Sequence, residues 1–173
     1  MSTLKKLLEP RVWRKAFVER LTEPLHLNVL ALLVQVFGSF RSKVDFDLVL
    51  RPYYAYGVLE SAEWARARGW REMTVIEFGV ASGAGLLNLS YLAEQAERVT
   101  GVRIHVAGFD SGQGMPSPLD YRDHPDMYVR GDFPMDAARV RASLPARTQL
   151  VLGNVAETVP EFLAQLKAPV GFV

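Results

Sequence analysis

The sequence predicts an α/β fold, a parallel sheet whose strands alternate with helices, preceded by a helical N-terminal region. Three observations carry that reading. From Met73 onward, short runs rich in β-branched and apolar residues alternate with apolar stripes at helical spacing. The first of those runs, "MTVIEF", empties directly into a bend that removes side chains at Gly79, Gly83 and Gly85. Ahead of residue 70 the apolar residues fall instead on helical faces. At 173 residues and 49% hydrophobic content, the chain is long enough for one ordinary domain with a core.

In chain order, "LHLNVLALLVQVF" at 25–37 is apolar on nearly all faces and stops at Gly38. Such a helix is expected to be enclosed by protein or by a partner subunit, which makes it the candidate contact of a homo-oligomer. It is shorter than the roughly 20 residues of a membrane span and carries His26, Asn28 and Gln35, so no span is expected. A second helix is predicted from about Tyr54 to Arg68, with Gly69 as its left-handed stop. Tyr53, Tyr54 and Tyr56 are expected to pack it on the sheet. A strand at 73–78 and a helix from the glycine bend to Val99 follow. A second strand at 103–109 stops at Asp110, and a long loop runs to about Phe133.

A third helix is predicted from Pro134, and a third strand at 148–153. Thr158 and Glu161 have capping-box spacing with Pro160 in the first turn, so a helix is expected from there to about Lys167. "PVGFV" at 169–173 reads as the start of a fourth strand, apolar on both faces as in a buried parallel sheet. Strand and helix alternating at this spacing mean right-handed βαβ units. The expected division is a helical region at 1–70 and the sheet domain at 71–173.

Composition excludes several functions. A formal charge of +1 without a Lys/Arg block argues against a nucleic-acid partner. The absence of cysteine removes disulfides, thiolate zinc sites and a cysteine nucleophile. Glu9, Pro10, Arg11 and Arg14 interrupt any apolar run near the N-terminus, against a secretory leader, and the cytoplasm is the default compartment. Asp120, Asp123, His124 and Asp126 crowd one stretch of the long loop; they read as a solvated lid segment in preference to a metal site, and no metal ligands are assigned.

At the carboxyl end of a parallel strand, a bend without Cβ atoms lets a ligand approach the backbone, and the first amides of the next helix point at it. The spacing Gly79-x-x-x-Gly83-x-Gly85 is neither G-x-G-x-x-G nor a P-loop, since no Lys-Ser or Lys-Thr pair follows. Ser82 is expected to cap the helix, and Gly85 to serve close packing.

The acid-x-Gly-x-x-x-Gly run "EFGVASG" resembles that of class I S-adenosylmethionine-dependent methyltransferases. Together, "VIEFGVASGAG", "GFDSGQGMP" and "LVLGNVAETVPEFL" are similar to bacterial methyltransferases related to the macrocin O-methyltransferase group. The likeness runs from about Arg51 to the C-terminus. It implies a Rossmann-like sheet and S-adenosylmethionine as cofactor, with the methionine part near Glu77, Gly79, Val80, Ala81 and Gly83. It also implies ribose hydroxyls on Asp110 beside Ser111, and adenine near Asn154 and Val155. For Asn154 a plain turn role after Gly153 stays open.

The implied activity is direct in-line methyl transfer to oxygen of a small molecule or sugar. In the related group metal-binding aspartates follow the fourth strand, whereas this sequence reaches Val173 as that strand begins. The expectation is therefore an N-terminal portion of a longer enzyme, inactive alone, with the catalytic residues and any divalent-metal ligands beyond Val173. Two other classes compete: a nicotinamide-dependent oxidoreductase and a noncatalytic nucleotide-fold module that assembles through helix 25–37.

Overall fold

A computed structural model describes residues 24–173; the N-terminal run read above against a leader lies outside the described residues. The chain divides into two compact units between Val49 and Leu50, ahead of the 70/71 division expected from sequence. In the first unit, α1 (Leu25–Phe37) covers the predicted residues, and a short α2 (Phe40–Asp45) follows that the sequence reading did not include. Ser39 starts α2 by accepting the Ser42 amide on its hydroxyl oxygen at 3.1 Å. Of α1 only Ala31 is buried, and Leu25, Leu32, Val36 and Phe37 are exposed. The described chain therefore does not itself supply the enclosure expected for this helix. No helix among the described residues is long and apolar enough to cross a membrane.

The second unit opens with α3 (Pro52–Ala67), whose proline occupies the first turn, where a missing N–H costs nothing. Gly69 follows it at φ +73°, as a left-handed stop requires. Then come β1 (Glu72–Phe78), α4 (Ala84–Thr100), β2 (Arg103–Asp110), α5 (Ala137–Ser143), β3 (Thr148–Leu152), α6 (Val155–Gln165) and β4 (Val170–Phe172). The strands form one parallel sheet in the order β3-β2-β1-β4. This is the Rossmann-like α/β sheet: three strands laid outward in one direction, the fourth placed on the other side of the first.

Alternation along β1 and β2 assigns the two faces. Ile76, Ala107 and Phe109 are buried on one face, with Val151 of β3 and Val159 and Phe162 of α6 packed against them. On the opposite face Gly108 lies under Leu86 of α4 and Val80 of the bend. That side is closed by the buried stripes of α3 (Ala55, Val58, Leu59, Ala62) and α4 (Leu86, Leu89, Leu92, Ala93, Ala96). The Ser61 hydroxyl of α3 donates to the Gly171 carbonyl of β4 at 2.7 Å. At the amino end of the sheet the Glu97 carboxylate accepts the Ile104 amide at 2.6 Å and takes the Arg147 guanidinium in a two-pronged grip.

Three sequence expectations are corrected. The helix after β3 begins at Val155, because Asn154 caps it immediately by accepting the Ala156 amide on its side-chain oxygen at 2.9 Å. Thr158 and Glu161 therefore make no capping box, and Pro160 lies inside the helix. The preceding helix starts after Asp136, whose carboxylate accepts the Arg139 amide, and not at Pro134. Only Tyr54 of the three tyrosines turns inward, its ring 6.1 Å from Phe172, while Tyr53 and Tyr56 are exposed.

Phe109 is fully buried between the rings of Phe78, at 5.3 Å, and Phe162, at 5.2 Å, and so ties α6 to the sheet. Phe109→Ala is expected to cost about 3–5 kcal/mol of stability. Urea denaturation measures the loss; a cost under about 1 kcal/mol would mean that α6 does not rely on this ring.

Candidate functional site

The carboxyl ends of the strands are where the backbone opens. β1 ends at Phe78, and the chain turns through Gly79 (φ +80°), Ala81 (φ +45°) and Gly83 (φ +84°) before α4 begins. Left-handed backbone at Ala81, a residue with a Cβ, marks a bend fixed by its surroundings. What fixes it is Asp110, at the end of β2. Its Oδ2 accepts the Ala81 amide at 2.9 Å and its Oδ1 accepts the Gly112 amide at 2.7 Å. The Asp110 carbonyl accepts the Gly153 amide at 3.0 Å, and the Gly79 amide donates to the Phe109 carbonyl at 2.9 Å. One residue thus joins the turns that follow β1, β2 and β3.

Glu77 is on the other side of the bend from Asp110 along β1, pointing between α3 and α4. It is only 7% exposed, and its Oε2 has no hydrogen-bond partner among the described residues. Burial pushes its pKa up from 4.5 to about 7; the Arg51 charge and a hydrogen bond with the Tyr54 side chain act against that rise without cancelling it. Burial also raises the Tyr54 hydroxyl, with the neighbouring Glu77 charge as the next cause. Gly85 is what makes room for this acid: a Cβ there would overlap Glu77 Oε1.

The other predicted residues divide by what their side chains already do. Val80 is buried and packs over Gly108, so only its backbone faces the bend. Gly79 is open: an added Cβ would meet nothing within 4 Å. Gly83 is not open, because the α5 residue Val140 lies 3.1 Å from where its Cβ would be. Ser111 is engaged in its own turn, donating to the Gly114 carbonyl at 3.0 Å and accepting the Gln113 amide. Asn154 is the cap of α6, and Val155 begins that helix half exposed. Ser82 does not cap α4; Gly83 occupies the cap position and no side chain bonds there. Helix capping needs an extended residue at that place, and the left-handed bend supplies none.

Arg51 and Tyr54, which border Glu77, were not singled out for the site by sequence reasoning. Arg51-Pro52 signals only where α3 starts; that this helix end lies beside Glu77 follows from its packing on the sheet. In the long loop, Asp120 pairs with Arg122 at 2.6 Å and Asp123 accepts the Leu119 amide at 2.7 Å. No group of three or more metal-type ligands converges among the described residues.

No protein-family model matches the chain, and no curated protein matches it. Among solved structures, the chain is similar to a crystal structure of a calicheamicin methyltransferase, at 20% identity and a TM-score of 0.47. That similarity covers 95% of this chain, which spans only 63% of the other.

Two outcomes follow from Glu77 and its pocket. The folded carboxyl keeps its proton up to about pH 7, whereas the unfolded one releases it near 4.5. The folded state therefore binds more protons over that interval, and stability falls as pH rises through it. Glu77→Gln is expected to flatten this slope; urea midpoints at pH 5 and pH 8 test it, and parallel wild-type and variant curves would contradict it. Gly85→Ala is expected to destabilise by ~1–3 kcal/mol through overpacking. Most of that loss should disappear when Glu77→Ala is also present, which a double-mutant cycle reads directly.

Proposed function

We propose that this chain carries the cofactor-binding part of an S-adenosylmethionine-dependent methyltransferase, acting by in-line transfer on a small-molecule oxygen acceptor. The observation that supports the reading is the Asp110 carboxylate accepting the Ala81 amide, which draws the glycine bend and the tip of β2 together. They meet at the carboxyl edge of a parallel sheet, near the β1/β4 boundary at which strand order reverses, where ligands of such sheets bind.

The residues present suit the cofactor. Asp110 uses one acceptor site on each oxygen for backbone amides, and a carboxylate offers about four, so both oxygens retain capacity for a vicinal diol. Gly79 leaves an open approach to backbone. Glu77, with its unpartnered buried oxygen, is the natural neighbour of a ligand ammonium group. Asn154 contributes less than expected to an adenine contact, since its side-chain oxygen already caps α6; Val155 remains as an apolar edge for the ring.

The cofactor when bound supplies an electrophilic sulfonium methyl. For their part, the residues of the chain hold it: Asp110 fixes one end, and Glu77 and the backbone of residues 79–83 fix the other. Positioning of this kind is the main contribution such a reaction needs from protein. The acceptor's proton requires a base, and no residue here is assigned that role. A nicotinamide dinucleotide is a poorer fit, because the bend lacks the G-x-G-x-x-G spacing that brings backbone to a pyrophosphate.

Calorimetric titration with S-adenosylhomocysteine tests the reading, with NAD in a parallel titration. Heat is expected with the first compound only. Asp110→Ala should weaken that binding by at least about tenfold, the size expected when a charged hydrogen-bond acceptor is removed. A folded chain that takes up NAD and ignores S-adenosylhomocysteine would replace this function with the oxidoreductase alternative.

A further inference from the structure

Three element ends converge on one acid at the carboxyl edge of the sheet. β1 brings Glu77 there, α4 starts there with Gly85 in its first turn, and α3 starts there with Arg51 and Tyr54 beside the acid. Each wall of the slot leaves room for the carboxyl. α4 meets it with Gly85, and β2 sets Gly108 in register with Glu77, so neither brings a charge to it. The titratable and charged groups that act on it are Arg51 and Tyr54, both from α3.

These two residues are themselves fixed. Arg51 has left-handed backbone at φ +55°, which a residue with a side chain seldom adopts, and its guanidinium lies 5.3 Å from the centre of the Tyr54 ring. The other support of that ring is Phe172 of β4, at 6.1 Å. Tyr54 in turn bonds the Glu77 carboxyl. Even so, Oε2 has no partner among the described residues, in a side chain that is almost fully buried. A charged oxygen so placed is costly, and a proton removes the cost.

We infer that Arg51 and Tyr54 are positioning residues that hold Glu77 for the ammonium group of the ligand, and that capture of this group expels the carboxyl proton to solvent. The inference rests on the proposed function for the ligand and adds the proton to it. Gly79, two residues on and about 7 Å along the chain, leaves an open approach to this end of β1. In the exchange the O–H bond of the acid breaks, its electron pair stays on Oε2, and that oxygen accepts an N–H of the ammonium instead. Burial, which pushes the carboxyl up to about 7, is what leaves a proton to expel below neutral pH. Arg51 and Tyr54 favour the carboxylate and so keep the exchange within reach of neutral pH.

Titration with S-adenosylhomocysteine at pH 6, in two buffers of different ionisation heat, counts the protons released. About one per ligand is expected, with affinity rising about tenfold from pH 5 to pH 6, an interval in which the ligand's own amine stays charged. In Tyr54→Phe the release should persist to higher pH, because a bond that favours the carboxylate is gone; a tyrosine that only packs would leave the profile unmoved. Infrared difference spectra give an independent reading. A protonated-carboxyl band should vanish when ligand is added to the wild type, and Glu77→Gln should lack that band from the start. Equal heats in both buffers with affinity flat from pH 5 to pH 6 overturn the proton exchange and leave the cofactor reading intact. An unmoved profile in Tyr54→Phe overturns the role of that residue. Absence of heat at every pH in the folded wild-type chain overturns both readings.

Discussion

The constraint on which the site depends is the pair of amide hydrogen bonds that end on Asp110. A parallel sheet leaves its carboxyl edge as a row of separate turns, each free to take its own course. Asp110 removes that freedom by accepting from Ala81 across the sheet and from Gly112 beside it, while its carbonyl receives the Gly153 amide. Hydrogen bonds to a carboxylate are stronger than neutral ones, and one of them holds left-handed backbone at Ala81 while the other holds it at Gly112. The same residue then ties together three turns of the carboxyl edge and the start of the long loop.

Glu77 presents the opposite situation. Asp110 meets donors on both oxygens, whereas Glu77 Oε2 meets none among the described residues and the side chain is buried. Burying a carboxyl without full pairing is costly, and the protein lowers that cost by keeping the proton on the acid up to about pH 7. The surrounding sequence is built to tolerate it. Gly85 yields the space, and Arg51 and Tyr54 at the start of α3 lie close enough to moderate the shift. A purely structural acid at a strand end would be better served by exposure, as at Glu72, which pairs with His105 at 2.8 Å in the open.

Much of this was legible in the sequence, and the exceptions have physical causes. Strands and the two long helices were readable because their apolar periods are long and end in glycine, as at Gly69 and after Thr100. The role of Gly85 as a packing residue was readable for the same reason that its neighbour Ser82 was misjudged. A residue without a side chain suits any crowded place, but a serine caps a helix only if its backbone is extended, and that depends on Asp110, 28 positions later. The start of α6 was misplaced because two capping signals compete within a few residues. Asn154 prevails over Thr158 since it comes first after β3, and a helix once begun can carry Pro160 at the loss of one internal hydrogen bond. Side-chain direction was the least legible feature. Tyr53, Tyr54 and Tyr56 share a composition argument, but only the one whose position on α3 faces β4 is drawn inward.

Distance along the chain explains why some neighbours of the glycine bend could be read from sequence and others could not. Glu77, Gly79 and Gly83 lie within one strand–turn–helix unit, so their relation follows from local geometry. Arg51 and Tyr54 reach Glu77 only because α3 packs on the same face of the sheet as α4, a tertiary fact that no local pattern encodes. The backbone bonds of Met115 to Gly131 and Asp132 likewise join residues on either side of a polar loop whose interior has no period to read. Function at such an edge is assembled from turns, and turns are fixed by single hydrogen bonds. Where those bonds end on a side chain already visible as a strand-end acid, as at Asp110, the arrangement of turns is readable in sequence; where they end on backbone across a loop, only coordinates show it.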